Sequence, residues 1–323
     1  MNLRELRQKF GTQKQCLEHL VNIRWDGIPQ CPDCLSLTIS KTQNTYEYHC
    51  NRCNKNFSVL TDTIFEETRL PLPDWFLIIA IMLNSPMGVS AKEIQRLTGV
   101  TYKTAWYSAM RVRCAMLDQS DLLEDIVEMD EAYIGGKPRK RNKRNPDDTQ
   151  DLRNVVRNKR GRGTKKSAVV GIVERGGRVK TKVMDKLSSR NLMAMLRRYV
   201  NADNSIVITD DFGGYRAFDK AYEHLVIDHK KEFAKGIIHT NTIEGFWSIL
   251  KQGIKGNYRS VSKKYLPFYL AEYSYKYGRR KSKSNFLETI EHGMEEEKCL
   301  FKYKPKKDPK QICHPLKKKR HVR

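Results

Sequence analysis

Two Cys-x-x-Cys turns, Cys31-Pro-Asp-Cys34 and Cys50-Asn-Arg-Cys53, stand fifteen residues apart, and this spacing is the tightest constraint on how the chain can fold. Each short turn offers two thiolates to one ion, and two turns complete the tetrahedral sulfur shell that zinc takes. Between them LTISKTQNTYEYHC alternates as a hairpin strand does, and NKNFSVLTDTIF continues the pattern. The reading is a zinc ribbon, with one structural Zn²⁺ on Cys31, Cys34, Cys50 and Cys53. The ion supplies folding free energy that so small a unit lacks. Cys16, Cys114, Cys299 and Cys313 have no such spacing and read as ordinary thiols, and His49 as an exposed ribbon residue. The N-terminus, MNLRELRQKFGTQKQ, shows no apolar segment with a small-residue cleavage site. An intracellular setting with reduced thiols is therefore expected.

Charge narrows the partners. Sixty-one Lys and Arg against thirty-seven Asp and Glu give a net charge of +24 over 323 residues. A chain this basic is drawn to a polyanion, for which nucleic acid is the commonest candidate and an anionic membrane surface the competitor. The longest apolar run, WFLIIAIML at 75–83, is too short to span a bilayer and suits a buried helix. The segment SAKEIQRLTGVTYKTAWYSAMRVR at 90–113 predicts two helices. Ser90 with Glu93 forms a capping box, Gly99 closes the first helix and Thr101 caps the second. Two helices about a Gly-containing turn match a helix-turn-helix. Its second helix carries Tyr102, Lys103, Thr104, Tyr107 and Arg111, of which Lys103 and Arg111 are the expected DNA contacts. Lys137–Lys166 holds thirteen Lys and Arg against three Asp, as a solvated loop between strands does. The last stretch, KYKPKKDPKQICHPLKKKRHVR, reads as a disordered basic tail that adds salt-sensitive affinity for DNA.

After Leu117 the order is strand, strand, strand, helix, strand, helical segment, strand, helix, an α/β arrangement that the ribonuclease H fold shares. Three acids hold informative places. Asp130 lies in the first strand, Asp210 ends the fourth, and Glu244 sits on the last helix. In open α/β sheets ligands gather at strand ends. Carboxylates brought together there repel one another, and divalent cations with hard oxygen shells relieve the repulsion. Taken alone, each acid reads as a surface or capping residue. Glu128 shares the strand face of Asp130 and reads as an accessory ligand or part of a polar rim, whereas Glu131 and Asp211 point the other way. Phe246 and Trp247 read as core, with stacking on a flipped base as the alternative.

The blocks CPDC, VEMDEAYIGGK, GRGTKKSAVVGIVERGGRV, ITDDFGGY and HTNTIEGFWSILKQGIKGNY occur in the order seen in one family. Through them nearly the whole chain resembles insertion-sequence DDE transposases with an N-terminal zinc ribbon, the group related to eukaryotic Merlin elements. The resemblance implies that Asp130 and Asp210 are the two aspartates of a catalytic triad. Glu244 is then its third acid, Asn241 the alternative holder of that position, and Lys251 the lysine that follows and touches DNA. His239 would orient the loop. Asp130, Asp210 and Glu244 would bind two Mg²⁺ or Mn²⁺ ions. The reaction implied is cleavage of DNA at terminal inverted repeats and transfer of the freed 3′-hydroxyl to target DNA. It needs no nucleotide cofactor and no membrane, and it runs in a homodimer or higher synaptic complex, nucleoid-associated in a prokaryotic cytoplasm. The expected division is 1–68 for the N-terminal segment and ribbon, 69–120 for the helix-turn-helix, 121–292 for a ribonuclease H-like domain and 293–323 for the tail. A non-catalytic DNA-binding regulator, a metal-dependent ribonuclease and an inactivated transposase are the rival readings.

Overall fold

The computed structural model describes residues 1–42, 46–117, 121–135, 164, 166–227, 238–295, 300–301 and 313–314. The chain forms two compact units, Met1–Asp118 with Ala271–Arg323, and Gln119–Leu270.

The first unit is mostly helical. Helices α1 (Leu3–Phe10) and α2 (Gln13–Trp25) both start at capping boxes, Asn2 with Glu5 and Thr12 with Gln15. Each box satisfies two amide groups that would otherwise lack partners at a helix start. The ribbon follows as an antiparallel sheet in the order β1 (Ile39–Lys41), β2 (Glu47–Cys50), β3 (Lys55–Ser58). Helix α3 (Leu72–Leu83) is apolar on nearly every side and is buried accordingly. Helix α4 (Ala91–Thr98) starts at Ser90, whose side chain accepts from the Glu93 amide, and stops at Gly99 with φ +76°. Only glycine adopts that conformation without a Cβ penalty. Thr101 then caps α5 (Tyr102–Ala115).

One core joins α1, α2, α3 and α5 to helix α9 (Asn285–Met294), through Leu20, Phe65, Trp75, Phe76, Phe286 and Ile290 among others. The expected boundary at residue 292 is therefore corrected. Helix α8 (Leu266–Gly278) contains the division, and from Ala271 onward the chain belongs with the N-terminal unit. Within 1–68, α1, α2 and residues 59–65 share their core with α3 and α5, while Cys31, Tyr48, Cys50 and Phe57 of the ribbon form a small cluster of their own. The reason is that α9 carries apolar residues on one face, Phe286, Ile290 and Met294, which this core covers.

The first unit also buries a charge cluster. Glu272, fully buried, accepts from Arg113 Nε at 2.8 Å and from Lys276 Nζ at 2.7 Å. Burial alone would raise its carboxyl, but the two cations outweigh burial and hold it down to about 2. Lys276 further donates to the Ser85 carbonyl at 2.8 Å.

The second unit is built on one five-stranded sheet in the order β6-β5-β4-β7-β8. Its strands are β4 (Leu123–Ile134), β5 (Ser167–Glu174), β6 (Val179–Met184), β7 (Val200–Asp210) and β8 (Glu223–Ile227). β4, β5 and β6 form an antiparallel meander, and β7 and β8 return parallel to β4 on its other side. Helix α6 (Ser189–Tyr199) covers one face over Val127, Met129, Val170, Ile172 and Val207. Helix α7 (Asn241–Gly253) belongs to the other, where strand alternation puts Glu128, Asp130 and Gly171. Residues 302–312 and 315–323, which hold most of the expected tail, and 136–163 with 165, which hold nearly all of the basic loop, lie outside the described residues.

Removing Glu272 leaves Arg113 and Lys276 buried without their anion, a change that typically costs about 3–5 kcal/mol. Glu272→Ala should lower the stability of the protein by that order in chemical denaturation at pH 7. A variant as stable as the parent would show that the cluster contributes nothing. The carboxyl is depressed, so its contribution is present above pH 4.5 and fades as pH falls toward about 2.

Candidate active site

The site begins with strand register. β4 and β7 run parallel with Met129 opposite Thr209, so the next residues, Asp130 within β4 and Asp210 at the end of β7, stand side by side on adjacent strands. Adjacent strands lie only about 4.8 Å apart. The consequence shows in Asp130, whose carboxyl is pushed up to about 7. Burial is the larger cause, and the neighbouring charges of Glu131 and Asp210 add to it against hydrogen bonds from the Glu131 amide and Trp247. Oδ1 of Asp210 is sheltered from solvent as well. Two crowded carboxylates, one resisting ionisation, form a hard-oxygen donor set that a divalent cation suits.

Helix α7 docks on β4 through hydrogen bonds to two carboxylates, with Thr242 Oγ1 donating to Glu128 Oε1 at 2.9 Å beside the two that set its register. Ile243 N–H donates to Glu128 Oε2 at 2.9 Å, and Trp247 Nε1 donates to Asp130 Oδ2 at 3.0 Å. Four residues of helix rise about 6 Å, and two residues of strand span about 6.6 Å. The spacings match, so the helix lies along the strand with one donor over each carboxylate. Gly171, the register partner of Asp130 on β5, makes room for it. A Cβ at that position would lie 2.7 Å from the Trp247 ring. Phe246 and Trp247 are both buried, as core residues are, which leaves the alternative of stacking on a flipped base without an exposed ring. Trp247 in addition holds an acid of the site, which its place in an apolar stripe did not signal.

The other predicted residues are placed as follows. Glu244 adjoins Ile243 on the first turn of α7; it is exposed and accepts from Thr240 Oγ1 at 3.2 Å. Asn241 is exposed at the first position of the helix, and Lys251 is exposed in its last turn. His239 meets Arg175, whose Nη2 lies 3.0 Å from His239 Nδ1. Glu128 is not part of a polar rim, because it is fully buried with both oxygens engaged. Glu131 lies on the opposite strand face, where Tyr215 donates to it at 2.7 Å. Lys103 is exposed on α5. Arg111 is not available to DNA: it is 5% exposed and donates to the carbonyls of Glu66 at 2.8 Å and Thr63 at 3.3 Å. The guanidinium satisfies loop carbonyls that the fold has buried, a demand that helix spacing alone does not reveal.

In the ribbon, the four sulfurs of Cys31, Cys34, Cys50 and Cys53 lie within 4.8 Å of one another. The Cys31–Cys53 and Cys34–Cys50 separations are 3.6 and 3.5 Å. Ligands 2.3 Å from a tetrahedral ion would stand about 3.8 Å apart, so the cluster fits zinc. Leu35 and Asn54 follow the second cysteine of each turn with positive φ, and their amides donate to the carbonyls of Cys31 and Cys50, both at 2.9 Å. That closes each turn and directs its two thiols inward.

Residues 122–278 match the ISXO2-like transposase domain, and residues 11–56 match the transposase zinc-ribbon domain. The chain belongs to this family of zinc-ribbon transposases. An uncharacterized protein in transposable element ISH50 of Halobacterium salinarum is 26% identical over 270 residues, covering 81% of this chain and 89% of its own. Crystal structures of the Mos1 strand transfer complex and of a pre-cleavage Mos1 transpososome align at 12% and 11% identity. Each covers 68% of this chain and 78% of its own with a TM-score of 0.26, too low for any structural argument. Among the described residues no helix is long and apolar enough to cross a membrane.

Two outcomes are expected. Elemental analysis should find one zinc per chain, lost in Cys50→Ser; a full zinc content in that variant would exclude the cysteine cluster as the site. The second concerns Asp130. Its raised carboxyl keeps a proton in the folded state that the unfolded chain has released above pH 3.8, so stability falls as pH rises toward about 7. With chelator present, Asp130→Asn should therefore be more stable than the parent at pH 8, by as much as about 4 kcal/mol. The gap should close toward pH 4, and equal stabilities at pH 8 would contradict the crowding of the two acids.

Proposed function

We propose that the protein is an active DNA transposase that binds the terminal inverted repeats of an insertion sequence and cleaves and transfers DNA strands. The observation that carries this reading is the pairing of Asp130 and Asp210 on adjacent strands, with Asp130 pushed up to about 7 by burial and by neighbouring acids. Such crowding weakens a metal-free fold and is explained by a divalent cation that needs both carboxylates. The sheet order and the two covering helices support a ribonuclease H-like fold for the second unit. The α4–α5 pair about Gly99 supports a helix-turn-helix.

Asp130, Asp210 and Glu244 are the acids of the site, and their oxygens would hold Mg²⁺ or Mn²⁺. Two such ions would stabilise the attacking and leaving oxygens of an in-line displacement at phosphorus. Trp247 fixes the rotation of the Asp130 carboxylate through its indole N–H, and burial of the indole on Gly171 keeps that donor in place. Glu244 takes the third position over Asn241 because a carboxylate is the stronger ligand for a hard cation. Lys251, exposed on the same helix, meets a phosphate beside the scissile bond, where one positive charge counts most. Lys103 on α5 contacts the backbone of the repeat, and the +24 charge draws in the flanking duplex. Joining two ends requires at least two copies of the chain.

The test is Mg²⁺-dependent nicking of DNA that carries the element's ends. Asp130→Asn, Asp210→Asn and Glu244→Gln should each lower cleavage by at least about a hundredfold while end binding persists. Normal cleavage by Glu244→Gln, with loss in Asn241→Ala, would move the third position to Asn241. Binding of the ends by the parent without any nicking would identify a non-catalytic regulator instead.

A further inference from the structure

We propose that Glu128 is the positioning residue of this site: a buried carboxylate on β4 that caps helix α7 from outside and so sets where its acid stands. The inference rests on the reading of Asp130, Asp210 and Glu244 as the catalytic acids. It assigns to Glu128 neither a metal nor a contact with DNA.

Four observations carry it. First, the N-cap residue of α7 does not cap it: Thr240 makes no side-chain hydrogen bond to the helix amides, its hydroxyl donating instead to Glu244, and the local acceptor is His239 Nδ1, which takes only the Asn241 amide at a long 3.4 Å. The first-turn amides of a helix need acceptors, and a carboxylate there is favoured by the helix dipole. Second, Glu128 supplies the acceptor from another element, taking Ile243 N–H at 2.9 Å on Oε2 and Thr242 Oγ1 at 2.9 Å on Oε1. Third, Glu128 is itself held. Arg175 Nε donates to Oε1 at 2.7 Å, and Arg175 Nη2 donates to the His239 carbonyl at 2.9 Å. The guanidinium thus ties the residue just before the helix to the carboxylate that caps it, while its backbone amide donates to the Ile126 carbonyl on β4. Fourth, Glu128 is fully buried with both oxygens engaged, so it cannot turn toward a cation without releasing the helix.

The consequence for the site follows from chain geometry. Glu244 is the residue after Ile243, so the Glu128 bond fixes its backbone position, and the Trp247 bond to Asp130 fixes the helix one turn later. With the first anchor gone, α7 pivots about the second, and Glu244 moves relative to Asp130 and Asp210. Groups that orient ligands in this indirect way typically affect metal affinity about ten- to a hundredfold.

The experiment uses the full chain labelled with 5-fluorotryptophan. It holds four tryptophans, Trp25, Trp75, Trp106 and Trp247, and Trp247→Phe assigns the resonance of interest. In Glu128→Gln, the fluorine resonance of Trp247 should shift while the other three stay. The Mg²⁺ concentration for half-maximal nicking should rise about tenfold or more, with affinity for end DNA unchanged within about twofold. A loss of stability alone would lower the active fraction without changing the metal requirement. Should Glu128→Gln fail to fold, with all four resonances collapsing, Thr242→Val takes its place with the same expectation. A folded variant with the parent's metal requirement overturns the proposal. If the parent itself does not nick, the catalytic reading fails, and the Trp247 resonance alone then decides the anchoring: a shift upholds it and an unmoved line overturns it.

Discussion

Two hydrogen bonds between α7 and β4 are the constraint on which the second unit's chemistry depends. One runs from the Ile243 amide to Glu128 and the other from the Trp247 indole to Asp130. Their spacing on the helix matches the spacing of same-face residues on the strand, so a rigid helix can satisfy both at once. Everything else near the site adapts to that match. Gly171 gives up a side chain to seat the indole, and Arg175 bridges Glu128 to the chain entering the helix. The exposed residues of α7, Asn241, Glu244 and Lys251, are then presented on a helix whose axial position is already decided.

The protein handles buried charge in three different ways. Glu272 is neutralised by two buried cations and its carboxyl falls to about 2. Glu128 is engaged by Arg175 and by a helix N-terminus. Asp130 has an indole donor and acidic neighbours, and its carboxyl rises to about 7. The first two arrangements complete a fold. The third leaves unrelieved repulsion, and strain of that sort collects where function requires it. The ribbon's thiols form a separate centre, held by turns in which Leu35 and Asn54 accept a left-handed backbone to direct four sulfurs inward.

Much of this was legible in the residues. The cysteine spacing, the order of strands and helices after Leu117, the helix pair about Gly99 and the three acids all rest on local periodicity or short-range chemistry, which the chain carries in full. Less was legible where a partner is remote in sequence. Arg111 reads as a surface cation on a helix, yet it serves the carbonyls of Thr63 and Glu66, more than forty residues away. Glu128 reads as an accessory ligand or a rim acid because its donors come from Arg175, just past β5, and from α7. Gly171 did leave a signal: an isolated glycine inside a strand as apolar as Ala168–Val173 marks a close approach, and the approaching group is Trp247. The helices at residues 266–294 gave no hint of which unit they join, since an apolar face does not name its partner.

By itself, then, the sequence determined which elements form, which thiols gather and on which strands and helix the acids fall, because these depend on spacing along one chain. Only the tertiary structure decided which groups are spent on the fold and which remain for chemistry. A carboxylate two residues from another on the same strand face is indistinguishable from it until the helix arrives. The helix caps itself with Glu128 and gives Asp130 a single indole donor, and that difference in partners separates an anchor from a site.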